Sequence, residues 1–127
     1  MSDAPVAFVT GAAGGIGLAT VAMLRRRGMR VFATDRALAA IPCGEPGFVA
    51  ESLDVTDAAA VRSSVARALQ QFGRLDHVVH LAGRAGRGPL REVALDEWRD
   101  VLEVNLTSAL VLAQSVESAA SPQVRNV

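Results

Sequence analysis

The run Thr10-Gly-Ala-Ala-Gly-Gly-Ile-Gly17 constrains this chain more than any other feature, because of what stands on either side of it. Val6-Ala-Phe-Val-Thr10 has the unbroken apolar character of a strand buried on both faces. From Gly15 the periodicity becomes helical, with Ile16, Ala19, Met23 and Leu24 expected on one face. Arg25, Arg26 and Arg27 close that helix, where cations suit the negative end of its dipole, and Gly28 supplies the stop. The Arg run reads as a solvated helix end rather than a binding patch. A strand, a glycine turn and a helix in this order make a cradle for an anion. Gly11 permits the tight turn, Gly15 lets a pyrophosphate approach the backbone, and Gly17 lets the helix pack closely. A plain glycine turn is the bland alternative; the strand before and the helix after weigh against it.

The remaining elements follow from the same reading. Arg30-Val-Phe-Ala-Thr-Asp35 is expected to be a second strand. Residues 36–47 hold Pro42, Gly44, Pro46 and Gly47 and leave room for a short helical turn at most. Phe48 to Asp54 reads as a third strand. Thr56 or Asp57 caps a helix with the stripe Val61, Val65, Leu69 and Phe72, ended by Gly73. His77-Val-Val-His-Leu81 reads as a fourth strand. A last helix is expected over residues 96–119, burying Trp98, Leu102, Leu106, Ala109 and Ala113, and the tail from Ser121 to Val127 shows no periodicity. Strands alternating with helices predict an α/β fold: one Rossmann-like, doubly wound domain over residues 1–127, with a parallel sheet in the order 3-2-1-4.

Asp35 gives the cradle a ligand. It ends the second strand eighteen residues after Gly17, where a carboxylate accepts hydrogen bonds from adenosine ribose hydroxyls and repels a 2′-phosphate. NAD is therefore expected over NADP. Arg36 argues the other way, since guanidinium pairs with phosphate, and Asp35 as a helix cap for the following residues is the structural alternative.

Composition excludes more than it suggests. Lys+Arg and Asp+Glu number 13 each, so there is no electrostatic reason to expect nucleic acid or an anionic membrane. The Arg-Gly stretch at residues 83–88 is short, lacks interleaved aromatics and fits a strand-to-helix loop. No apolar run is long enough to span a bilayer, and with no basic segment ahead of an apolar one no signal peptide is expected. Cys43 is the only cysteine, which fits a reducing, cytoplasmic setting, and it reads as a bystander thiol. No metal site is expected. The chain has no Tyr, and all 13 of its basic residues are Arg, so chemistry that needs a phenol or a primary side-chain amine is closed to it.

With these residues in place, the chain resembles the short-chain dehydrogenase/reductase family over nearly its whole length. The pattern Thr10-Gly11-x-x-x-Gly15-x-Gly17 is similar to that family's cofactor loop, and Leu53-Asp54-Val55 to the segment that lies by the adenine ring. His80-Leu81-Ala82-Gly83 stands where the family shows Asn-Asn-Ala-Gly: Ala82 and Gly83 match, while His80 and Leu81 replace the asparagines. The resemblance implies cofactor contacts from Thr10, Gly11, Gly15, Ile16, Gly17, Asp35, Arg36, Asp54, Val55, Ala82 and Gly83. Asn105, in Val104-Asn105-Leu106, resembles the family asparagine that holds a water in the proton relay of a catalytic lysine. A buried asparagine tying its helix to a backbone carbonyl is the structural alternative.

The resemblance implies hydride transfer between nicotinamide and an alcohol or carbonyl compound, with catalysis by a Ser and a Tyr-x-x-x-Lys motif. That motif is not in these 127 residues. The expectation is an N-terminal cofactor-binding portion, inactive by itself; the alternative is a non-catalytic dinucleotide-binding module that regulates or pairs with another subunit. Either way the fourth strand becomes an exposed apolar edge, and self-association through it and the last helix is expected.

Overall fold

The computed structural model describes residues 3–42 and 44–119; the readings of Cys43 and of the tail from Ser121 lie outside them. The elements are β1 (Val6–Thr10), α1 (Gly15–Arg26), β2 (Arg30–Asp35), β3 (Phe48–Ser52), α2 (Ala58–Phe72) and β4 (His77–His80). A single 3₁₀ turn (Leu90–Glu92), α3 (Leu95–Leu102), a π-helical turn (Glu103–Thr107) and α4 (Ser108–Ala119) complete the described chain.

All five residues of β1 are fully buried, as an apolar run with a sheet neighbour on each side requires. The sheet is parallel in the order β3-β2-β1-β4, with Phe8 in register with Phe32 on one side and Val78 on the other. The pleat sends alternate side chains to two cores. Ala7 and Val9 join Val31, Ala33, Val21 and Leu24 under α1. Phe8 and Phe32, whose rings stack 5.5 Å apart, join Leu53, Val61, Val65, Ala68 and Leu112 under α2 and α4. The Asp57 side chain accepts the Ala60 N–H at the start of α2, and Gly73 ends that helix with φ +78°. Arg25 stacks on the Phe48 ring and pairs with Glu45, while Arg26 and Arg27 are exposed.

One expected helix face holds in part and another is wrong. Ile16 is 74% exposed and Ala19 is also exposed; Leu24 is buried and Met23 packs against the same core, and α1 adds Gly17 and Val21 to that face. The phase of α1 is set by Gly17 pressing on the turn below it, which turns Ile16 outward. The single last helix is in fact α3 and α4 joined through the π turn. Trp98, Leu102 and Leu106 are exposed, as is Ala113, and Ala109 is only partly covered. The buried face of α4 is Ser108, Leu112 and Ser115. Their hydroxyls donate to the Val104 and Val111 carbonyls one turn back, so these polar residues are buried against α2 without an unmet hydrogen bond. Periodicity of apolar residues does not register such serines.

β4 has four residues and one sheet neighbour, and Val78 is exposed. Its lower end is tied by Asp76. The Asp76 N–H donates to the Val6 carbonyl, and its carboxylate accepts from Val6 N–H at 2.7 Å and from Arg74 at 2.6 and 2.8 Å. Replacing Asp76 with Ala is expected to cost about 1–2 kcal/mol, the net worth of charge-assisted bonds at a partly exposed site. Urea denaturation measures this, and an unchanged midpoint would refute it.

Candidate functional site: the cleft at the carboxyl ends of the strands

β2 lies to one side of β1 and β4 to the other, so the connections leaving β1 and β4 run to opposite faces of the sheet. The crevice that opens there is where open α/β sheets bind ligands. A cleft of about 560 Å³ occupies this place, lined by Gly11, Asp35, Arg36, Asp54, Val55, Ala82 and Gly83 among others. Seven of the eleven expected contact residues therefore meet in one concavity, from four separate loops.

The glycine loop shows why side chains are excluded from it. A Cβ on Gly17 would lie 2.0 Å from the Gly11 carbonyl oxygen, and one on Gly11 (φ +66°) would lie 2.6 Å from Ala82 N. The first contact presses α1 onto its own turn; the second brings the exit of β4 against the loop. Gly15 differs, since its missing Cβ points to open space and the protein itself gives no reason for a glycine there. Gly14, the N-cap of α1, provides no side-chain cap, and the first turn has no acidic residue. Free helix-end N–H groups beside an uncluttered Gly15 fit a dinucleotide's pyrophosphate. Thr10 and Gly17 are buried and support the loop from beneath; Gly15 and Ile16 are exposed beside the cleft, outside its lining.

Asp35 has two backbone partners. One carboxylate oxygen accepts the Ala13 N–H at 2.9 Å and the other accepts the Arg36 N–H at 2.7 Å. Among the described residues no helix lies between β2 and β3, so its oxygen on the Ala13 N–H supports the glycine loop rather than capping a helix. Asp54 accepts from the backbone and hydroxyl of Thr56, and these bonds, the hydroxyl's first, hold its carboxyl below the usual carboxylate range. The far wall is the loop after β4. Asn105, exposed rather than buried, accepts the Arg84 N–H at 2.8 Å and donates to the Arg84 carbonyl at 2.7 Å. Both ends of its amide are thus used on one loop residue. The π turn carries Asn105, and its extra residue gives the side chain the phase to reach that loop.

Sequence reasoning missed Gly14, Thr56, Arg84, Asp100 and Glu103, which also line the cleft. The Asp54-Val55-Thr56 spacing carried a signal for an Asx turn. Asp100 and Glu103 carried none, since their approach depends on where α3 and the π turn lie beside the loop after β4. Arg84 lies 3.8 Å from Glu97 and 3.7 Å from Asp100, which joins loop and helix.

A polar chain lies beneath the loop. The fully buried Thr10 hydroxyl accepts N–H bonds from Leu81 at 3.1 Å and Ala82 at 3.2 Å and stands 2.6 Å from His80 Nδ1. His80 Nε2 lies 2.9 Å from the Ser108 hydroxyl, which donates in turn to the Val104 carbonyl. Burial pushes the His80 imidazole below its ordinary value of 6.5.

The family described as short chain dehydrogenase matches residues 5–123. The chain is 41% identical over 122 residues to a putative ketoacyl reductase of the granaticin polyketide synthase of Streptomyces violaceoruber, covering 91% of this chain and 45% of that protein. It is 37% identical over 121 residues to D-threitol dehydrogenase of Mycolicibacterium smegmatis, covering 90% and 46%. A solved variant of the actinorhodin polyketide ketoreductase with NADPH superposes with a TM-score of 0.84 at 32% identity, covering 97% of this chain and 50% of that one. The chain thus spans about half the length of the curated relatives it matches. Matched along nearly all its own length by sequence and by fold, it belongs to the short-chain dehydrogenase family.

Proposed function

We propose that this chain is the cofactor-binding portion of an oxidoreductase that moves hydride between NAD and an alcohol or carbonyl compound. The carrying observation is the convergence of Gly11, Asp35, Asp54, Val55, Ala82 and Gly83 on one cleft at the switch point of the sheet. A bound nicotinamide supplies or accepts the hydride. The chain's own residues bind and orient the cofactor: α1's N-terminus and the open side of Gly15 take the pyrophosphate, Asp35 the ribose hydroxyls, and Asp54 and Val55 the adenine side. Asn105 holds the Ala82–Arg84 wall through the Arg84 backbone, and in this reading it shapes the cleft rather than carrying a proton. The 127 residues contain neither tyrosine nor lysine, so in this reading they bind the cofactor and do not supply the family's Tyr and Lys proton exchange.

Asp35 supports NAD over NADP, because its carboxylate lies at the end of β2 where a 2′-phosphate would meet it. The actinorhodin ketoreductase structure with NADPH, together with Arg36 in the cleft, makes this the point to test. Asp35→Asn keeps an oxygen for the Ala13 N–H and removes the charge. NADH is expected to bind the wild type more tightly than NADPH, and the substitution to narrow that preference by about tenfold. Fluorescence titration with both nucleotides measures it; tighter NADPH binding by the wild type would overturn the assignment.

Alcohol-dependent NADH formation is expected to be absent from the isolated chain, and turnover above background in a purified sample would refute the reading. The exposed row Trp98, Leu102, Leu106 and Leu110, with the open edge of β4, supports association of the chain through that side. Light scattering is expected to show species larger than a monomer. Leu106→Glu is expected to shift them toward monomer, whereas a monodisperse wild-type monomer would rule this out.

A further inference from the structure

We propose that His80 is a positioning residue of the dinucleotide cleft: as a neutral ring with its hydrogen on Nε2, it fixes the Thr10 hydroxyl from which the exit of β4 hangs. The proposal rests on the dinucleotide reading above and adds to it a residue that lies outside the cleft's lining.

The tautomer follows from counting hydrogens. The Thr10 hydroxyl has two lone pairs and one hydrogen. Its lone pairs receive the Leu81 and Ala82 N–H groups, so its hydrogen points to His80 Nδ1, 2.6 Å away. Nδ1 is then an acceptor and carries no hydrogen. Nε2 holds the ring hydrogen and gives it to Ser108 Oγ at 2.9 Å, whose own hydrogen goes to the Val104 carbonyl. The Leu81 N–H is shared with the Thr10 carbonyl at 3.2 Å; every other polar atom in the chain has one assignment, and the assignments run in one direction from Leu81 and Ala82 through Thr10 and His80 to α4.

Protonation of Nδ1 sets two hydrogens against each other. The Thr10 hydroxyl then has to turn, and turning gives up the Ala82 N–H or leaves the Leu81 N–H to the Thr10 carbonyl alone. The effect reaches the cleft directly, because Ala82 and Gly83 line it and the Ala82 nitrogen is in close contact with Gly11. No charged group offsets this. The ring's neighbours are Thr10 on β1 and Ser108 on α4, neither of which titrates. The charged lining residues Asp35, Arg36, Asp54, Arg84, Asp100 and Glu103 make none of its hydrogen bonds. Burial alone shifts the ring downward, which favours the neutral form the geometry requires.

The chain has two histidines, so the two ring signals are told apart by the loss of one in a His80 variant. Ring 15N NMR of the full chain is expected to show His80 with hydrogen on Nε2 and titrating below the ordinary 6.5. NADH affinity is expected to fall roughly two- to tenfold between about pH 8 and about pH 5.5, the worth of one net hydrogen bond. His80→Asn retains an acceptor and a donor, so it is expected to bind NADH like the wild type near pH 8 and to lose the wild type's pH dependence. His80→Phe, with neither, is expected to bind more weakly throughout. A ring with hydrogen on Nδ1, or the same pH dependence in wild type and His80→Asn, would overturn the proposal while leaving the dinucleotide reading intact. No NADH binding by the wild type near pH 8 would remove both. If His80→Asn does not fold, the wild type decides: the affinity midpoint must coincide with the His80 ring titration, and a mismatch refutes the role.

Discussion

Everything in this structure hangs from β1. Its five residues have no exposure, and parallel neighbours take its backbone hydrogen bonds on both sides. A strand so enclosed can offer chemistry only where it ends, and at Thr10 the chain has to leave the sheet at once. The glycine turn is the consequence. Gly11 leaves in a left-handed conformation with the β4 exit against it, and Gly17 brings α1 back within contact of that same residue. The bare backbone of the turn is therefore a by-product of closest packing. The backbone lies bare because two glycines leave no room for side chains, and a third, Gly15, leaves room for a ligand.

Side chains around the turn hold it in shape without entering it. Asp35 takes the Ala13 N–H, the Ala12 N–H goes to the Thr34 carbonyl, and the Thr34 hydroxyl reaches back to Val9. A single carboxylate at the end of β2 thus supports the loop with one oxygen while the group faces the cleft. Substitutions at Asp35 mix these two effects unless they conserve the oxygen. On the other wall Asn105 spends its amide on Arg84, so the distance between the walls depends on where the π turn sets that residue.

The strands, their order, the glycine loop and the acidic residues of the cleft were legible because each rests on a local signal: an apolar run, a turn-former, a cap, a carboxylate at a strand end. The α1 face was legible only in part, and that of the last helix was not. In α1 the phase is dictated by Gly17, a residue with no hydrophobicity to register. In α4 the buried face includes Ser108 and Ser115, which read as polar until their hydroxyls are seen bonded one turn back. The apolar row Trp98, Leu102 and Leu106 satisfies every periodicity test for a core and is exposed, since periodicity identifies a face that wants cover but not what covers it. The role of His80 was illegible for a related reason: its partners are 70 residues before it and 28 after it.

β4 shows how a short edge strand is secured when packing gives little. Side chains pin it at both ends, Asp76 to the start of β1 and His80 to its finish. Both pins depend on protonation, in separate windows. Arg74, and to a lesser degree the Val6 N–H, holds the Asp76 carboxyl below its ordinary 3.8, so its stabilisation is present above that pH and disappears as the pH falls through the lowered value. His80 is pushed below 6.5 by burial: an unfolded chain takes up the proton first, and stability is complete above 6.5 and declines as the pH falls from there. On acidification the upper end of β4, beside the cleft, therefore loosens before the lower end. The strand can lose its grip on the binding loop while it remains paired at Val6, and that order is set by which of its two ends carries the imidazole.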